Sequence, residues 1–128
     1  MPEPLPPTDP ELRAELGIPE TVPIHRIDLS GRGDFTRVIP QLTEAGPGDV
    51  VQFVVLDHRV HLVSFRDELL RPDQIEFLRA TSQARFPPLV EQGSRLVLSF
   101  EGAPAGDYSF YVEGNGPPIE AVIRVTGP

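Results

Sequence analysis

Apolar side chains recur at every second position in several short segments of the chain. Ile27 and Leu29 follow His25 with Arg26 and Asp28 between them, and Tyr108, Phe110 and Val112 alternate with Ser109, Tyr111 and Glu113. Ile119, Ala121, Ile123 and Val125 repeat the spacing. Period two is the signature of a strand with one face buried, so the last two segments form a hairpin across the turn Gly114 to Pro118. Val50 to Leu56 (VVQFVVL) is the most apolar run, rich in β-branched residues and too short for a buried helix, which predicts a central strand. Phe35 to Ile39, ended by Pro40, then Gln41 to Thr43, His61 to Phe65 and Arg95 to Phe100 read as further strands. Turn signals separate them at Ser30 to Asp34, Gly46 to Asp49 and Ala103 to Asp107. One stretch breaks the period: after Arg71-Pro72-Asp73, Ile75, Leu78 and Ser82 fall three to four apart, predicting a single inserted helix closed by Phe86-Pro87-Pro88. The pattern is that of an all-β sandwich or barrel with one short helix.

Residues 1–22 differ in kind. Through Pro23 the opening holds seven of the chain's sixteen prolines, which fix φ and remove backbone donors, so it is an extended arm outside the sheets. Within it Thr8-Asp9-Pro10-Glu11 starts a short helix, Leu12 and Leu16 make a small apolar stripe, and Gly17 closes it. Leu5, Leu12, Leu16 and Ile18 are the arm residues expected to meet a partner. The expected organisation is an arm over 1–22 and a sandwich domain over 23–128, with the arm contributing little to folding.

Charge and composition narrow the function. The 128 residues carry a net charge of −8 with a pI near 4.7, which offers nothing for nucleic-acid phosphates and suits either a basic partner or, the commoner case, an acidic surface kept for solubility. There is no cysteine, which excludes disulfides, thiolate metal sites and cysteine nucleophiles. No apolar run reaches the length of a membrane span, and no basic-then-apolar leader opens the sequence. The expectation is a protein without a transmembrane segment of its own, on the cytoplasmic side and docked on a membrane, with the periplasm as the alternative.

Two motifs resemble the plastocyanin/azurin-type cupredoxins. Gly48-Asp49-Val50-Val51-Gln52-Phe53 followed by His61-Leu62-Val63-Ser64-Phe65 is similar to that family's strand and first copper histidine. Pro104-Ala105-Gly106-Asp107-Tyr108-Ser109-Phe110-Tyr111 is similar to its entry into the copper loop, and Ile119 to Val125 to its closing strand. The resemblance spans about residues 24 to 126 and implies a cupredoxin-like Greek-key β-sandwich of two facing antiparallel sheets. It also implies where copper ligands would stand: His61, then Val112 for the cysteine, Asn115 for the second histidine and Ile119 for the methionine. Only His61 has the family's ligand type, and a type 1 site needs a thiolate and two imidazoles with a weak axial ligand. Copper is therefore not expected. Val112 and Ile119 are expected to fill the former pocket with hydrocarbon.

Other chemistry is thin. His58 and His61 form a His-x-x-His pair that could chelate zinc or copper(II) with Asp57 or Glu113, but residues three apart on a strand point to opposite faces. His25 reads as a hydrogen-bonded packing residue. Ser64, His61 and Asp57 lack the glycines of a nucleophile elbow, and no phosphate loop is present. The expected protein is not an enzyme and holds no cofactor. It is a copper-free interaction or scaffold subunit whose partners include subunits of a membrane-bound electron-transfer complex, respiratory or photosynthetic. The alternative is a metal or small-ligand binder built on His61.

Overall fold

The computed structural model describes residues 9–32, 35–114 and 116–127. Leu5, Thr8, Asn115 and Gly33-Asp34 of the turn read at Ser30 to Asp34 lie outside these. Helix α1 (Asp9–Leu16) precedes strands β1 (Ile24–Arg32), β2 (Phe35–Ile39), β3 (Leu42–Ala45), β4 (Val50–Val55) and β5 (Leu62–Phe65). A 3-10 turn (Asp67–Leu69) and helix α2 (Pro72–Ala80) follow, then β6 (Arg95–Ser99), β7 (Gly106–Glu113) and β8 (Ile119–Val125).

The strands form two four-stranded sheets, β2-β1-β4-β6 and β3-β8-β7-β5. The period-two segments pack as their spacing predicts. Ile27, Leu29, Val51, Phe53 and Leu98 from the first sheet meet Phe65, Tyr108, Phe110, Val112 and Ile123 from the second in one core. At its centre the rings of Phe53 and Phe110 meet edge-on with centroids 5.3 Å apart. The Tyr108 hydroxyl donates to the Pro104 carbonyl at 2.7 Å, so the one polar atom of that buried side chain is satisfied.

Two expectations are corrected. The sheets are not wholly antiparallel, because β1 pairs with β4 and β3 with β8 in parallel. Alternation reports which side chains face the core, not which strand lies alongside. Between β1 and β4 the chain visits the opposite sheet through β3, and on returning it runs in the direction of β1. Ser30, Gly31 and Arg32, read as turn, instead pair with Arg37, Thr36 and Phe35, since a hairpin partner extends β1 to its end.

Helix α2 begins after Arg71 as its sequence predicts. The Gln74 side chain accepts from the Arg71 backbone N–H at 2.8 Å and donates to the Asp107 carbonyl at 3.0 Å, fastening the helix start to β7. Ser82 falls past the end of the helix with φ at 58°.

The arm helix is also corrected. Leu12 is fully buried. β4 is buried on both faces, with Val51, Phe53 and Val55 in the inter-sheet core and Val50, Gln52 and Val54 on the opposite face. α1 lies over that opposite face. Glu15 pairs with Arg95 at 2.9 Å, and Leu16 and Ile18 line a groove with Val22, Val50 and Val97. Gly17, at φ +69°, lets the Ile18 N–H reach back to the Arg13 carbonyl at 2.9 Å and end the helix. Leu12 therefore does not face a partner. It is spent on the chain's own sheet, because β4 is apolar on both faces and needs a cover.

Candidate functional site: the pocket around His61

His61 stands just ahead of β5, held there by paired backbone bonds with Leu89. Its side chain is 1% exposed, and Nε2 lies 2.8 Å from Asp57 Oδ1. A carboxylate only accepts, so His61 Nε2 carries a proton and donates to it. Neither Nδ1 nor Asp57 Oδ2 has a partner among the described residues. A side chain at Gly114 would place its Cβ 3.5 Å from Nδ1 and 2.5 Å from Thr36 Oγ1, so glycine there lets the backbone close over the histidine.

Two of the other three positions that the resemblance gives to ligands are hydrocarbon. Val112 on β7 is fully buried, opposite Val63 on one side and Ile119 on the other. Ile119 is partly buried and packs on the core. Asn115 lies outside the described residues. The donors do not fit a type 1 copper ion. The chain has no cysteine, its only methionine is Met1, and His61 is the one imidazole at these positions. No group of three or more His, Cys, Asp or Glu side chains able to hold a metal occurs among the described residues.

The other candidates are not brought together. His58 is exposed while His61 is buried, so the His-x-x-His pair does not converge. Ser64 faces a groove on the outer edge of β5, away from the His61–Asp57 pair. His25 is a hydrogen-bonded residue as expected, with Nε2 2.8 Å from Asp49 Oδ2, and that carboxylate also accepts from the Gly46 N–H at 2.8 Å. Of the arm residues, Leu16 is 49% exposed and Ile18 half-buried. Sequence reading missed the Asp57–His61 bond. Its signal is an acid four residues before a buried histidine, across a bend that period counting does not describe.

Two facing sheets in this strand order, with one histidine entering from the start of β5, define the cupredoxin fold. Comparison with solved structures agrees. Plastocyanin from Dryopteris crassirhizoma superposes with a TM-score of 0.59 at 17% identity, over 79% of this chain and 99% of that one. A purple cupredoxin from Nitrosopumilus maritimus gives 0.53 at 16% identity, over 80% and 99%. The copper-containing nitrite reductase of Thermus scotoductus SA-01 gives 0.58 at 21% identity over 85% of this chain, which spans 23% of that enzyme's length. No sequence family and no curated protein sequence matches the chain.

Proposed function

We propose that this protein is a non-catalytic, copper-free cupredoxin-fold module that works by binding a protein partner, as an accessory or scaffold subunit of a membrane-bound electron-transfer complex. The observation that carries the reading is the donor set around His61. Where a thiolate and a thioether would converge stand Val112, fully buried, and Ile119, packed on the core. Val112, fully buried, contributes about 1.5–3 kcal/mol and the partly buried Ile119 less, which supports reading the former ligand site as core. The net charge of −8 supports a basic partner surface. The groove of about 310 Å³ beside Leu16 and Ile18 supplies an apolar place to meet it. No described helix is long and apolar enough to cross a membrane.

A second reading has one specific observation in its favour. The buried His61 Nδ1 has no hydrogen-bond partner among the described residues, as a group kept for a ligand would be. Calorimetric titration with copper(I), copper(II) and zinc separates the two. The binding-module reading expects no stoichiometric complex. It also expects membrane subunits to be captured from native membranes by the intact chain and lost with Leu16→Asp. A one-to-one metal complex abolished by His61→Ala would overturn it in favour of the metal binder.

A further inference from the structure

β6 is the outer strand of its sheet, and hydrogen bonds fix which of its backbone groups face away from β4. Phe100 N–H donates to the Asp49 carbonyl at 3.0 Å and Val55 N–H to the Ser94 carbonyl at 3.0 Å, so residues 94, 96, 98 and 100 bond β4. Residues 95, 97 and 99 turn their backbone groups outward. At Ser99 a side chain completes the rung: the N–H donates to Gln83 Oε1 at 2.7 Å, and the carbonyl accepts from Gln83 Nε2 at 3.0 Å. A primary amide carries the donor and acceptor of a peptide group, so Gln83 stands where a neighbouring strand's peptide would. Past Gln83, no described residue bonds the outward N–H and C=O of Val97 and Arg95. Both residues are half-buried, and Ser99 is exposed.

Two grooves meet at Leu16 and share Val97. One of about 310 Å³ runs past Ser99 and Glu101, and the other, of about 400 Å³, past Ser94 and Arg95. Of the charged side chains that line them, Arg95 is already paired with Glu15, whereas Glu101 is exposed and has no ion pair among the described residues. We propose that the edge of β6 docks an extended segment of a partner protein, which continues the sheet from Gln83 along Val97 and Arg95 and sets a lysine or arginine beside Glu101. Main-chain bonds supply register, Leu16 and Val97 supply an apolar seat, and Glu101 decides which end of the segment lies beside it. The net charge of −8 favours a basic segment over a second copy of this chain. Docking at this edge rests on the binding-module reading and gives the partner a shape: a strand with a basic end.

The test titrates the full chain with acetylated heptapeptides of alternating threonine and valine carrying one arginine, at either end or in the middle. Amide exchange is followed by NMR. The expected result is slowed exchange at Val97 and Arg95, with a terminal arginine binding more tightly than a central one. Glu101→Gln should erase that preference and lower affinity for the best peptide roughly twofold to fivefold. Val97→Pro removes one outward N–H, which an edge strand tolerates because that donor faces away from β4, and should abolish peptide protection of Arg95. Val97→Thr keeps the N–H and should bind as the wild type does. No protection with any peptide, protection indifferent to arginine position, or undiminished binding by Val97→Pro would overturn the proposal. So would concentration-dependent protection of the same amides without peptide, which would assign the edge to self-pairing. Capture of membrane subunits that survives Val97→Pro would also overturn edge docking while leaving the binding-module reading in place, and the metal titration that addresses that reading does not involve these amides.

Discussion

Leu12→Ala tests whether α1 belongs to the folded domain. Leu12 is 0% exposed and sits on the face of β4 formed by Val50, Gln52 and Val54. Truncating a fully buried leucine costs about 2–5 kcal/mol, with the low end applying where neighbours can collapse into the gap. An eight-residue helix on the outside of a sheet can settle, so about 2–3 kcal/mol is the working figure. For a domain of this size each kcal/mol lowers Tm by about 3–5 °C, giving a drop of roughly 6–15 °C by calorimetry or circular dichroism. Leu16→Ala, at a position 49% exposed, is the control and should shift Tm by no more than about 2 °C. Deleting residues 1–22 also uncovers Val50 and Val54, each contributing about 1.5–2 kcal/mol, for a total of about 5–7 kcal/mol as an upper figure. That is comparable to the whole stability of many domains. A Leu12→Ala melt indistinguishable from wild type, with the truncated chain equally stable, would refute the placement of α1 as a cover for β4.

The remaining predictions concern the polar groups of the interior and the surface ion pairs. Burial raises the Tyr108 hydroxyl to about 12. Its contribution of about 2–3 kcal/mol is therefore fully present below the ordinary tyrosine value near 10 and is lost as pH rises through about 12. Melting from pH 9 to 12.5 should show that decline, and Tyr108→Phe should flatten it. Asp57→Asn should lower stability by about 1–3 kcal/mol in urea titration, because it disturbs the bond to the buried His61 imidazole. An unchanged midpoint would show that bond to be dispensable. The Arg124 side chain holds the Asp107 carboxyl below its usual range, so this pair stabilises the fold above the unfolded carboxylate range and stops doing so as pH falls through the lowered value. Both partners are well exposed, so Arg124→Gln should lower Tm only slightly at pH 7 and leave it unchanged at pH 2.

Particular residues show how far the sequence reaches. The alternation in Ile27 and Leu29, in Tyr108, Phe110 and Val112, and in Ala121, Ile123 and Val125 named the buried faces correctly, because strand geometry ties position parity to face. VVQFVVL marked a central strand, and the structure shows it buried on both faces. It could not say that Leu12 was the cover, since a two-leucine stripe on a short helix fits a partner and a neighbouring sheet equally well. The parallel pairings of β1 with β4 and of β3 with β8 were not legible, because parity carries no information about strand neighbours. At the candidate site, the hydrocarbon at Val112 followed from its place in the hairpin pattern. The Asp57–His61 bond did not, since it depends on the shape of an irregular bend.

The pairing of β3 with β8 joins residue 42 to residue 122, and β8 lies inside its sheet between β3 and β7. On a ribosome β3 emerges long before its neighbour exists, and its edge stays unsatisfied until Val125 clears the exit tunnel. The second sheet therefore closes in one late event instead of strand by strand. Such non-local closure is slow and leaves hydrophobic edges waiting. A nascent chain stalled short of Ile119 should accordingly remain sensitive to protease, whereas release of the seven residues that follow should protect it all at once.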